Sequence, residues 1–350
     1  MAEYISFQPS DHYSTKLFTG NASADNAITG VGFQPDLTWF KYRGGDNWAC
    51  SDAVRGSTEA LHQNLTLAEY TNANGCASFD ADGFTVGTDS TWNSSGASGM
   101  ATWNWKAGTT TGLSGGTITP SAYSINTTSG IGIYKYEGTG SAATIAHGLG
   151  VAPKMIIVKD LDNADGWMTY HEGLGSGSPG GAYLVLNTAA AESTGNTSKW
   201  NGTAPTDTVF SLGSAGDTNQ SSTDFIAYVF ADVKGYSKFG SYTGNGNADG
   251  TFVYTGFRPA FVLVKTASRA GTDAWCLFDN KREGYNVDND ALNPDTTAAE
   301  RTSDDIDLLS NGFKLRNTVT DVNPSGETVI YAAFAEFPIV SSNDVPTVAR

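Results

Sequence analysis

Gly150-Val151-Ala152-Pro153-Lys154-Met155-Ile156-Ile157-Val158-Lys159 has two counterparts in the same chain: Gly32-Phe33-Gln34-Pro35-Asp36-Leu37-Thr38-Trp39-Phe40-Lys41 and Gly256-Phe257-Arg258-Pro259-Ala260-Phe261-Val262-Leu263-Val264-Lys265. In each, Pro and Lys stand six apart with an apolar run between them, and self-similarity at a long period is the mark of a repeat architecture. The run is continuous rather than alternating. It starts at a Pro, which cannot donate to a ladder, so it reads as a strand buried on both faces.

The similarity extends on both sides. Downstream come Trp48, Trp167 and Trp275, then Asn-to-Ala-Glu elements ending at Glu69, Glu192 and Glu300, and then the aromatic strands Ala101–Trp105, Ile226–Phe230 and Ile330–Phe334. Upstream lie Leu17-Phe18-Thr19-Gly20, Lys135-Tyr136-Glu137-Gly138 and Ser241-Tyr242-Thr243-Gly244. Phe79 to Val86 and Leu309 to Leu315 carry Asp82-Gly83 and Asn311-Gly312, which predict hairpins through the positive φ of such pairs. Only Ala189 to Glu192 and Thr297 to Leu309 show any helical period.

The expected fold is therefore all-β, with three tandem β-sandwich or jelly-roll-like modules, strung as beads or gathered in a pseudo-threefold cluster. The predicted boundaries are an N-terminal arm (1–11), a first module (12–107), a Gly/Ser/Thr-rich linker (108–129), a second module (130–232), a third (233–337) and a C-terminal tail (338–350). The short join at Val233–Gly235 predicts a fixed geometry between the last two modules.

Composition agrees with this class: of 350 residues 41 are Gly, 39% are apolar and only 16% are charged. The net charge of −16 and the lack of a Lys/Arg cluster argue against nucleic acid and anionic membranes as partners. The opening residues do not read as a secretory signal, and no apolar run reaches bilayer-spanning length, so the expectation is a chain made in the cytosol without membrane insertion. The three cysteines, Cys50, Cys76 and Cys276, lack CxxC spacing and read as buried thiols.

Chemistry is harder to find. There is no GxSxG elbow and no HExxH, and His12, His62, His147 and His171 read as falling at unrelated places in the repeat. No cofactor and no catalytic residue is expected. Asp80 and Asp82, and Asp160 and Asp162, space oxygen ligands as a calcium loop begins, but neither run continues to a bidentate Glu, and acidic turns are the simpler reading. Lys41, Lys159 and Lys265 with Glu69, Glu192 and Glu300 suggest an ion pair within each module. Trp48, Trp167 and Trp275, present in every copy, read as core anchors rather than sugar platforms.

Pro35 to Lys41, Phe79 to Gly87, Trp103 to Gly108 and above all His147 to Lys159 resemble repeats in virion proteins of marine tailed bacteriophages, such as cyanophages and pelagiphages. The resemblance covers His12 to Pro338; the third copy departs most, with Arg258-Pro259-Ala260-Phe261 and a longer insert over Asp279 to Thr296. It implies a non-catalytic structural protein of the virion, made in the host cytoplasm. A tail appendage of fibre type contributing to host attachment is the leading expectation. It would be a homo-oligomer, most simply a trimer, contacting other virion proteins and a host glycan or protein. A capsid decoration protein and a tailspike polysaccharide depolymerase are the alternatives.

Overall fold

Each Pro-to-Lys run becomes the middle of a sheet. The computed structural model describes residues 5, 7–271, 273–282, 286, 288–336, 339–340 and 346–347. The first unit comprises β1 (Tyr13–Phe18), β2 (Asn26–Thr29), β3 (Leu37–Tyr42), β4 (Trp48–Asp52), β5 (Gly56–Leu61), β6 (Tyr70–Thr71), β7 (Cys76–Asp80), β8 (Gly83–Val86), one helical turn α1 (Ser90–Asn93) and β9 (Met100–Trp105). The second has β10 (Ala122–Asn126), β11 (Ile131–Glu137), β12 (Ala143–Ala146), β13 (Met155–Asp160), β14 (Met168–His171), β15 (Leu184–Val185), β16 (Val209–Leu212), α2 (Gly216–Asn219) and β17 (Asp224–Phe230). The third has β18 (Ser237–Thr243), β19 (Phe252–Tyr254), β20 (Pro259–Thr266), β21 (Cys276–Asp279), β22 (Asp288–Ala291), β23 (Arg301–Leu309), β24 (Gly312–Leu315) and β25 (Thr328–Ala335).

One strand order recurs. The large sheets run β1-β9-β3-β4-β5-β6, β10-β11-β17-β13-β14-β15 and β18-β25-β20-β21, and the small ones β2-β8-β7, β12-β16 and β19-β24-β23-β22. In every unit the closing aromatic strand inserts beside the Pro-to-Lys strand, with antiparallel registers Trp39↔Trp103, Ile157↔Tyr228 and Leu263↔Ala332.

The continuous apolar runs are explained by what covers them. Ile156, Val158, Ala227 and Val229 face the small sheet of their own unit, as Val262, Val264, Val329 and Ala333 do in the third. The alternate residues (Leu37, Trp39, Trp103, Trp105; Met155, Ile157, Tyr228, Phe230; Phe261, Leu263, Ala332, Phe334) meet in one core contributed by all three large sheets. Both faces of the Pro-to-Lys strands are thus dry, where a polar alternation would have put polar side chains in a core. The three units form a ring around that shared core rather than beads.

Several expectations change. Residues 108–129 are not a free linker: 122–126 form β10, which pairs along β11, and Gly116 and Ile118 bridge to Ile145 beside β12. Ile118 and Ile125, each 5% exposed, give that segment its own apolar anchors. The N-terminal arm is not loose either, since Ile5 and Phe7 join the shared core and Phe7 packs edge-on against His12 and Tyr236. Of the tail from 338, only the short pair β26 (Ile339–Val340) and β27 (Pro346–Thr347) lies within the described residues.

Ala189–Glu192 forms no helix, and of the Thr297–Leu309 stretch Arg301–Leu309 becomes β23 because Ile306 and Leu308 are required by the third unit's core. The two hairpins form, but Gly83 and Gly312 open the second strand of each instead of occupying the turn. A Cβ at either would stand 2.0 Å from a carbonyl oxygen of the next strand, Ile28 or Val253, so close approach demands glycine there.

Candidate functional site

The residues kept in every copy gather at the seams between units. Trp48, Trp167 and Trp275 are 0%, 0% and 1% exposed. Each donates its indole N–H to the preceding unit around the ring. Trp48 Nε1 reaches Asn293 O at 2.9 Å, Trp167 Nε1 reaches His62 O at 3.0 Å and Leu65 O at 3.1 Å, and Trp275 Nε1 reaches Val185 O at 3.3 Å. Their main chains are fixed by the Asn that opens the next element. Asn64 and Asn187 accept from Trp48 N and Trp167 N, and Asn293 donates to Trp275 O.

The glutamates work the same way, through their main chains. Glu69 N donates to Leu161 O at 2.8 Å, Glu192 N to Ala267 O at 2.9 Å and Glu300 N to Arg43 O at 2.8 Å, so each crosses to the residue two past the next unit's lysine. Pro35 and Pro153 end the turns before β3 and β13, and Pro259 opens β20 at a bulge.

The lysine–glutamate ion pair is not formed. Lys41, Lys159 and Lys265 are buried on the seam side of their strands, and their ammonium groups are held by main-chain carbonyls. Lys41 binds Asp46 O, Lys159 binds Asp160 O (2.6 Å) and Asn163 O (3.2 Å), and Lys265 binds Thr266 O (2.6 Å). Burial lowers Lys41 and Lys159 to about 8, and Lys265 below the usual lysine range. The glutamates have other partners. Arg55 Nη1 binds Glu69 at 2.8 Å, Arg43 and Arg282 bind Glu300, and Gly175 N binds Glu192 at 2.7 Å. A guanidinium's planar fork matches a carboxylate bidentately, which an ammonium's point charge does not.

Those arginines belong to a motif not anticipated from the sequence. Four residues after Trp48 stands Asp52 with Arg55, and four after Trp275 stands Asp279 with Arg282. The carboxylate accepts from the main chain three residues on and from the guanidinium (Arg55 Nε at 2.5 Å, Arg282 Nε at 2.7 Å), with all four side chains fully buried. Each then accepts from the next unit, Asp52 from Tyr228 OH at 2.7 Å and Asp279 from Trp103 Nε1 at 3.0 Å.

In the second unit the same positions hold His171 and Leu174. His171 is thus in register with the two aspartates and with none of the other histidines. Gly173 N donates to its Nδ1 at 3.0 Å, which leaves the proton on Nε2, 3.1 Å from Tyr331 O in the third unit. Burial lowers His171 to about 4.

The acidic pairs suggested for calcium are turn carboxylates. Asp82 accepts from Gly30 N and Gly32 N, Asp80 from Ser78 and Thr85, Asp160 from Asp162 N and Asn163 N, and Asp162 from Asp224 N. Another missed set is Asn93, Asn219 and Asn323, fully buried. Each donates to a carbonyl six residues upstream and accepts from the turn after β1, β11 or β18.

On the outside, β19 turns Phe252 and Tyr254 to solvent, 44% and 66% exposed, beside the Lys314–Asp249 ion pair. Val253 between them enters the core.

No curated protein and no solved structure matches the chain. A family does match, over residues 8–338, and that span takes in all three units, as one shared core requires. The chain belongs to the family described as domain of unknown function DUF7483.

Proposed function

We propose that the chain is a non-catalytic structural protein of a bacteriophage particle, displayed as a tail appendage that contributes to host attachment. The observation that carries the reading is the use made of the recurrent residues. The tryptophans, glutamates and aspartate–arginine pairs bind one unit to the next in a closed cycle, which is what a rigid displayed body needs. The resemblance to virion proteins of marine tailed phages supports the particle. The exposed Phe252 and Tyr254 support attachment, since aromatic faces on an edge strand stack against sugar C–H groups or apolar side chains.

In this reading the protein is made in the host cytoplasm, assembles into the virion with other virion proteins, and gains avidity as a homo-oligomer, most simply a trimer. Cryo-microscopy of purified particles tests it, with density for the ring expected at the tail. Density on the head would move the protein to capsid decoration, and absence from the particles would overturn the reading. Sustained release of reducing ends from host polysaccharide, abolished by one Asp or Glu substitution, would make it a depolymerase instead.

A further inference from the structure

The large sheets do not end alike. In the second unit β11 is covered by β10, with Ser124 opposite Ile133 and Tyr123 opposite Tyr134. The register against the closing strand makes β1 the counterpart of β11, with Thr15 where Ile133 stands and Lys16 where Tyr134 stands. Among the described residues no strand lies on β1's free edge. A cleft of about 340 Å³ runs there instead, lined by Ser14 to Leu17, Gly30, Lys281 and Glu336.

The backbone polarity of that edge is fixed. Lys106 N donates to His12 O at 3.0 Å, so β9 takes the main-chain groups of the even-numbered residues of β1, and Thr15 and Leu17 turn theirs to the cleft. An unpaired edge of this kind is a template for another strand. Its charge is basic in an otherwise acidic chain. Lys281 is held by Glu336 at 2.7 Å, whereas the Lys16 ammonium stands at the cleft wall beside Gly30, near enough to the Asp82 carboxylate to help the Gly30 and Gly32 N–H groups lower its pKa but in no ion pair among the described residues.

We propose that the cleft beside β1 is a docking groove for an extended segment of a partner protein, added antiparallel to β1 as β10 is to β11, with a carboxylate side chain opposite Lys16. A second copy of this chain fits less well. Two β1 edges paired together would bring Lys16 and Lys281 of both copies into one groove, and like charges across a strand pair repel. The inference goes beyond the virion reading and does not depend on it.

The probe is a labelled peptide of residues 119–127, the β10 segment, carrying Tyr123→Glu; a second peptide carries Tyr123→Lys. Titrated into the full chain and followed by fluorescence anisotropy, the Glu peptide is expected to saturate and the Lys peptide to bind about tenfold more weakly. Lys16→Glu should reverse that order. Thr15→Pro, which removes an edge N–H without touching the ladder to β9, should weaken both peptides; should Thr15→Pro fail to fold, the Lys16→Glu reversal decides alone. Absence of saturable binding, or binding of both peptides unmoved by Lys16→Glu, overturns the proposal. So does concentration-dependent dimerisation of the full chain that Lys16→Glu abolishes, because the groove's occupant would then be a second copy.

Discussion

The seam between the first and second units and the seam between the second and third use the same backbone positions and opposite chemistry. At the first, Asp52, Arg55 and Glu69 form a buried charged chain closed by Tyr228 OH. At the second the positions of Asp52 and Arg55 hold His171 and Leu174, and Ala332 stands where Trp103 and Tyr228 stand elsewhere. The charged seam gains geometric definition, since every acceptor has a donor, but it tolerates no partial removal. The neutral seam is less constrained and answers to protons. The strand pattern sets where the seams lie, and a few side chains set what each responds to.

The largest expected break is at the charged seam. Arg55→Leu leaves Asp52 and Glu69 without their cation in a dry site and should cost about 3–5 kcal/mol in urea unfolding. The double change Asp52→His with Arg55→Leu imports the chemistry of the neutral seam and should recover most of the loss. If it does not, the two seams are not interchangeable.

The neutral seam breaks with acid. His171 is held at about 4, first by burial and further by Lys154, against the Tyr331 carbonyl that favours its charged form. The unfolded chain therefore binds a proton that the fold refuses, and stability falls as pH drops from the ordinary histidine value of 6.5 toward 4. The other histidines, also lowered by burial, act with the same sign. His171→Gln should flatten the fall of the melting temperature between pH 6.5 and 4; an unchanged slope would remove the seam from the explanation.

Smaller effects sharpen the contrast. Trp167→Phe takes the indole N–H from the His62 carbonyl, which keeps Leu65 N, and from the Leu65 carbonyl, and should cost about 1–3 kcal/mol. Trp275→Phe should cost less, because its one bond to Val185 O is longer, at 3.3 Å. Smallest of all, Ala332→Val adds two methyl groups beside His171, Leu263 and Trp275, where there is no room for a water, and should cost about 1 kcal/mol by calorimetry.

The strands were legible because their burial is written twice. A Pro-to-Lys run with no polar alternation can only lie between two dry layers, and its threefold recurrence located three such strands. The ring was not legible, since Leu37, Trp39 and Lys41 do not say whether their outer face meets a small sheet or two other units. Thr297–Leu309 was misread because Ala298, Ala299 and Glu300 imitate a helix start while Ile306 and Leu308 alternate as a strand. The aspartate–arginine motif could have been found, since Trp-x-x-x-Asp-x-x-Arg occurs twice. It was hidden by its replacement with His171 and Leu174 in the middle copy. The lysine–glutamate pairing failed for a geometric reason: recurrence in the same order along the chain does not fix which side of a seam each head group faces.

The seam that joins the first unit to the third also sets when the molecule can be finished. Trp48 binds Asn293, and Arg43 binds Glu300, 257 positions later in the chain. The first unit therefore has one wall missing until the third unit has been synthesised. Until then Leu37, Trp39, Trp103 and Trp105 face water or a transient cover. Contacts of such sequence separation slow folding and lengthen the time in which strand edges are open to wrong partners. A slow last step, with Trp48 buried only once the third unit has emerged and docked, is the kinetic signature of closing a ring from one thread.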